Sequence, residues 1–236
     1  MGSFFENIID EGFRFLDELI RKIFYELTYV DSSLIKEEAH YVEKMAEFGW
    51  TYCYTIRANF NQVNVETLEE INCYFYNEFT KDGYDEIIEI YVDAIKIYPQ
   101  IHNELLEAVA CYENKEYRGC AMIITSLIEK LFILSQKQAF DSQNVKTGLG
   151  ATNRIYKMFD DHLTRLGEDF YLTIISMQKF LNIFFEKTNN FQDDKKIINR
   201  NMLMHGMWTN DVTRIDCMKL FLALYNQISV TQVFFH

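Results

Sequence analysis

The residues of this chain whose types and spacing can do chemistry lie together in "IINRNMLMHGMW", positions 197 to 208. Arg200 and Asn201 are followed, after three apolar residues, by His205 and Gly206. An arginine is a permanent, forked cation that matches anionic oxygens. An imidazole moves protons near neutral pH, and an amide beside it can hold the ring. The same residues also fit a structural polar cluster or a subunit contact, and spacing alone does not separate the two readings.

Local physics predicts a short helix to carry them. Asp193 or Asp194 is placed to cap its start, and Gly206 stands where a left-handed residue ends a helix. On an ideal helix, Ile197, Ile198, Met202 and Met204 draw one apolar arc, with Asn201 and His205 inside it, four residues apart. Arg200 flanks that arc. Polar groups on such a face must find partners, because burying them unpaired costs several kcal/mol in unfavourable cases.

The rest of the chain reads as all-α. With one proline and nine glycines in 236 residues, it lacks the turn residues that sandwiches and barrels need. Apolar residues recur at helical spacing in about ten segments, starting with Phe5 to Leu27. Asp31 to Ser33, Asn64 and Thr67 offer caps, Gly83 a helix stop, and Pro99 the end of a helix that begins near Tyr84. The periodicity over 34–60 predicts one continuous helix, and 141–153 reads as a polar, glycine-bearing loop. A seam near Pro99 divides the expected organisation into an acidic N-terminal helical region, 1–95, and a C-terminal bundle, 96–236.

Charge narrows the function classes. A net −12 opposes non-specific nucleic-acid binding. Residues 192–236 nevertheless hold Lys195, Lys196, Arg200, Arg214 and Lys219 against four aspartates, a net +1. A phosphate would be handled there, with Lys195 and Lys196 as weak RNA contacts. The five cysteines are odd in number and widely spaced, which argues for buried thiols and against a disulfide or zinc framework. The N-terminus lacks a basic, apolar leader and the myristoylation pattern, and Lys219, Asn226 and Gln227 interrupt the last apolar stretch. The expectation is a cytoplasmic protein that does not engage a membrane.

"NRNMLMHG" resembles the signature of the HEPN superfamily (higher eukaryotes and prokaryotes nucleotide-binding): Arg, four to six residues, then His, often with Asn after the Arg and Gly after the His. "YRGCAMIITSLIEKLFI" is similar to that family's second helix, with Glu129 as its acidic residue. The resemblance covers about residues 96 to 236. It implies a helical bundle that dimerises with two motifs facing each other, and metal-independent RNA cleavage in many members. Others are catalytically silent. By that resemblance Arg200 and His205 match the catalytic pair, Asn201 the polar residue after the Arg, and Glu129 a supporting carboxylate. Glu129 fits a solvated salt bridge better than that match, since it falls at the edge of its apolar face.

Such a site needs no metal or cofactor, because RNA supplies its 2′-hydroxyl as nucleophile. The partners expected are RNA, a second copy of the chain, and a protein engaging the acidic N-terminal region. Stress response, toxin–antitoxin pairing and antiviral defence are the settings the resemblance implies. A non-catalytic interaction module and a regulatory scaffold are the competing classes. Three other patterns are set aside. Ser33-x-x-Lys36, Ser142-x-Asn144 and Lys146-Thr147-Gly148 mimic a penicillin-recognising set without the strand it needs. Glu37-x-x-His40 has di-iron spacing but no second copy, so His40 reads as a helix-surface residue. The 15 Tyr and 20 Phe read as core filling, with any exposed subset available to stack on bases.

Overall fold

The computed structural model describes residues 32–53, 67–81, 98–140, 144–160, 167–189, 191 and 195–232. Among these the secondary structure is helical and contains no strand, so the fold class is all-α as the composition implies. The helix expected over Phe5 to Leu27, the caps at Asp31, Asn64, Asp193 and Asp194, the stop at Gly83 and Ser142 all lie outside the described residues.

The described helices are α1 (Ser32–Glu47), α2 (Leu68–Phe79), α3 (His102–Glu113), α4 (Tyr117–Phe140), α5 (Gly148–Asp160), α6 (Glu168–Phe184), α7 (Arg200–Met204) and α8 (Arg214–Gln232). Thr67 caps α2 by accepting the Glu70 amide at 3.2 Å. Pro99 opens a helical segment here: a 3-10 turn, Pro99–Ile101, leads straight into α3. Its fixed φ and missing N–H suit a first turn. The stretch read as a loop over 141–153 turns helical at Gly148, where α5 begins.

The continuous helix expected over 34–60 stops at Glu47. Gly49 has φ +91° and so takes the left-handed turn. Its amide bonds Ala46 O at 3.0 Å, and the Trp50 amide bonds Met45 O at 3.1 Å, closing the terminal carbonyls in a Schellman arrangement. Residues 50–53 then run buried and non-helical, so their backbone groups need side-chain partners. Asn226 of α8 donates to both Thr51 Oγ1 and Tyr52 O at 2.8 Å, and the Tyr52 amide donates to Ser176 Oγ of α6 at 2.9 Å. The Tyr52 hydroxyl donates to the Asp169 carboxylate.

At the centre lies α8, with thirteen of its nineteen residues buried. A helix that is apolar around its whole circumference belongs inside a bundle. It packs on α4 and α6; α3 lies on α4, α1 on α6, α5 against both α4 and α6, and α7 on α4. Val42, Trp50, Phe75 and Phe79 join the same core as Ile124, Met177 and Phe221, so residues on both sides of Pro99 share it. By length and composition α4 could cross a membrane, but ten of its residues, including Ile124, Leu131 and Phe132, pack into this core.

One core residue is costly. Lys219 of α8 is 4% exposed, with its ammonium 5.5 Å from the centre of the Trp50 ring. Burial pulls its pKa down to about 8, against an upward pull from Asp216. Below pH 8 the folded protein therefore carries a charge that the unfolded chain solvates better. Between pH 8 and the unfolded value of 10.5 only the unfolded state stays protonated, so this penalty shrinks as pH rises. We expect Lys219→Met to raise the melting temperature at pH 6 to 7 by several degrees, from a penalty on the order of 3 kcal/mol less the lost ring contact. The gap from wild type should narrow between pH 8 and 10.5; a gap constant across that range would remove Lys219 as its source.

Candidate functional site

The motif is built around Asn199, a residue the spacing argument passed over. Its backbone is extended (φ −100°, ψ 128°), and its side-chain oxygen accepts from the amides of Asn201 at 3.0 Å and Met202 at 3.2 Å. Those are unpaired donors at the start of α7. Its side-chain nitrogen donates to Glu186 O at 2.9 Å and Ile183 O at 3.4 Å, carbonyls at the end of α6. One amide, 1% exposed, thus closes the end of one helix and the start of another.

This corrects the predicted helix. Residues 195–199 are non-helical, and α7 holds only Arg200–Met204, capped by Asn199. Ile197 and Ile198 are buried but not on the helix, so the apolar arc drawn from them does not form. Extended backbone at Asn199 breaks the period before the arc can start. The consequence reaches the site: His205 is exposed and Asn201 half-buried, whereas Asn199 takes the buried polar position.

The far end of α7 follows the expectation. Gly206 has φ +71°, its amide bonds Leu203 O at 3.1 Å, and the Met207 amide bonds Met202 O at 2.7 Å. His205 is the last residue before this turn, with its ring edge-on to Phe191 at 5.6 Å between centroids. Arg118 of α4 holds the exit by donating to Trp208 O at 3.1 Å and Asn210 O at 3.0 Å.

Between these anchors, Arg200 and Glu129 meet across α7 and α4. Arg200 Nη2 donates to Glu129 Oε2 at 2.7 Å, with side chains 25% and 16% exposed. Nη1 reaches Asn201 Oδ1 at 3.3 Å, and Nε is buried with no hydrogen-bond partner among the described residues. Asn201 donates its amide to Glu186 O at 3.3 Å. The structure therefore joins Arg200, Asn201 and Glu129 and engages Asn201 with the guanidinium and not the imidazole. Glu129 is the salt-bridge residue that its place on α4 suggested, sheltered by α7.

His205 is not part of that cluster. Five residues along a helix rotate the side-chain direction by about 140°, so Arg200 and His205 of one copy diverge. Lys195 pairs with Glu186 at 2.7 Å, and Lys196 lies 5.8 Å from the centre of the Phe48 ring. Glu37 and His40 are exposed on α1. Among the described residues no three His, Cys, Asp or Glu side chains are grouped to hold a metal ion. An open cavity of about 660 Å³ lies elsewhere, between the end of α4 and α5, and none of Arg200, Asn201 or His205 lines it.

What the cluster does chemically is fix a guanidinium: a carboxylate from the middle of α4 takes one edge, and an amide tied to Glu186 O takes another. An imidazole on the same short helix remains in solvent. No family model matches the chain, and neither does any curated protein or solved structure.

The two-sided role of Asn199 has a direct test. Aspartate caps a helix start as well as asparagine does, but it would turn two donations to carbonyls into repulsions. Asn199→Asp should lower stability at pH 7 by at least as much as Asn199→Ala, on the order of 2–4 kcal/mol by urea unfolding. Asn199→Asp as stable as wild type would mean that only the cap matters. For the ion pair, a double-mutant cycle of Arg200→Ala and Glu129→Gln should give a coupling of about 1–2 kcal/mol. A coupling near zero would make the pair a surface contact.

Proposed function

We propose that this chain is a metal-independent endoribonuclease of the HEPN type, working in the cytoplasm as a homodimer that juxtaposes two copies of the Arg200–His205 motif. The observation that carries the reading is the fixed guanidinium of Arg200, braced by Glu129 and Asn201 on a five-residue helix whose other end presents an exposed imidazole. A purely structural arginine requires no histidine at the rim. Two residues that diverge within one copy can converge across a two-fold axis, and such pairing brings a second histidine and a second arginine.

The reaction follows from those groups. One His205 accepts the proton of the RNA 2′-hydroxyl, whose oxygen attacks the adjacent phosphorus. Arg200 neutralises the additional negative charge as the pentacovalent state forms. The 5′-oxygen leaves with a proton from the partner copy's imidazole, giving a 2′,3′-cyclic phosphate and a 5′-hydroxyl. Asn201 acts as a positioning residue through the guanidinium. Defence or stress response is the setting we assign, following the same family resemblance.

A second reading has an observation of its own. The Arg200–Glu129 pair satisfies both charges inside one protomer, as a non-catalytic interaction module of the same fold would require. Labelled single-stranded RNA incubated in EDTA separates the two. The ribonuclease reading expects cleavage that ends in a cyclic phosphate and is abolished by a 2′-deoxy nucleotide at the scissile position. His205→Ala and Arg200→Ala should each lower the rate by orders of magnitude while both variants still dimerise. Equal cleavage by wild type and His205→Ala would defeat this site, and a chain that stays monomeric at tens of micromolar would defeat the composite arrangement.

A further inference from the structure

The open cavity at the end of α4 is cationic in an acidic protein. Its walls include Lys146, Arg154 and Lys157, the amides of Asn144 and Asn153, and the ring of Phe140. From Lys130 to Lys157 the sequence holds five cations (Lys130, Lys137, Lys146, Arg154, Lys157) and one carboxylate, Asp141, a net +4 within a chain of −12, and of the five only Lys130, paired with Glu104 at 2.6 Å, and Lys137 lie off the cavity wall. That exceeds the +1 of residues 192–236. Lys146 and Lys157 are exposed, and neither pairs with a carboxylate among the described residues.

The walls are held in place. Gln136, fully buried, donates to Lys146 O at 2.8 Å and accepts from the Lys146 amide at 3.0 Å, which fixes that stretch of backbone on α4. Arg154 lies 4.1 Å over the Phe140 ring and donates to Asn144 O at 2.8 Å. Cations held before a ligand arrives lose less freedom on binding it. The volume, about 660 Å³, is of the size that holds a nucleotide-sized group.

Position ties this groove to the candidate site. Glu129 and Phe140 are eleven residues apart on α4, a rise of about 16 Å and a rotation of three turns plus about 20°. They therefore lie on one side of the helix, with the buried Phe132 and Gln136 between them, so the two places are the ends of a covered stripe. Arg200 meets the stripe at Glu129, and Arg154 meets it at Phe140.

We propose that the groove between the end of α4 and α5 binds the phosphodiester backbone of single-stranded RNA through Lys146, Arg154 and Lys157, about 16 Å along the α4 axis from the Arg200–Glu129 pair. The anionic, phosphate-bearing character of the ligand rests on the groove alone; the choice of an RNA strand rests on the ribonuclease reading. Phosphate contacts of this kind are independent of sequence and weaken with salt.

The experiment titrates the full chain into fluorescein-labelled single-stranded RNA in EDTA, by anisotropy, at several salt concentrations. The binding titrations are made in the His205→Ala background, so that the strand stays intact. Lys146→Glu with Lys157→Glu should bind about tenfold more weakly or worse, with the salt slope reduced by about 1.4 for two lost phosphate contacts. Arg154→Gln, a milder change at a half-buried position, should weaken binding without altering the melting temperature by more than a few degrees. If wild type cleaves, the groove variants should raise KM far more than they lower kcat. Loss of binding in these variants with no cleavage by any protein would uphold the groove and defeat the catalytic reading. Binding unchanged by the groove substitutions, no RNA binding at all, or equal affinity for anionic phospholipid vesicles would each overturn the proposal.

Discussion

A single buried amide holds the candidate site together. Asn199 presents two donors to the carbonyls of Ile183 and Glu186, at and just past the end of α6, and one acceptor to two amides that α7 leaves open at its start. Helix ends carry unpaired backbone groups by geometry, and burying them without partners costs several kcal/mol. Here the two sets cancel through one side chain. A helix of five residues has little stability of its own, so its place depends on such anchors. With Asn199 at its entry, the Schellman turn at Gly206 and the Arg118 contacts at its exit, α7 can hold Arg200 against Glu129.

The same accounting runs through the core. The non-helical stretch after Gly49 would expose backbone groups to an apolar interior, and Asn226 and Ser176 reach it from α8 and α6. Gly49 itself is where three elements crowd: a side chain there would bring its Cβ within 2.9 Å of Lys219 Cδ and 3.2 Å of Ile197 Cγ2. Ile197 belongs to the approach to α7, and Lys219 to the central helix. The end of α1 thus touches the segment that carries the motif. A lysine so placed lowers stability through its charge, and its aliphatic stem fills the space against Gly49.

Charge and location are consistent with a division of labour. Near Arg200 the cations are engaged: Arg200 with Glu129, and Lys195 with Glu186. A guanidinium held this way suits stabilising charge at one fixed point and is poorly suited to gathering a polyanion from solution. The exposed Lys146 and Lys157 lie at the groove beside Phe140, at the other end of α4. Under the proposed function, attraction and chemistry sit at different places on an acidic protein.

What the sequence by itself determined is what depends on short range. Periodicity located most described helices, Gly206 announced its left-handed turn, Thr67 its cap, and the scarcity of glycine and proline the all-α class. The pattern of Arg200, Asn201 and His205 was legible for the same reason, since six consecutive residues carry it. What escaped is what depends on partners far along the chain. Helical rhythm continues past Gly49 and before Arg200, yet the backbone leaves the helix at both places: Asn226 and Ser176 satisfy the Tyr52 carbonyl and amide, and the carbonyls of Ile183 and Glu186 hold the side chain of Asn199. The pairing of Glu129 with Arg200 spans 71 residues, and the basic groove joins Phe140 to Lys157. Local propensity fixes which backbone states are open to a segment. Only the packed bundle, by supplying or withholding hydrogen-bond partners, decides which of them it takes.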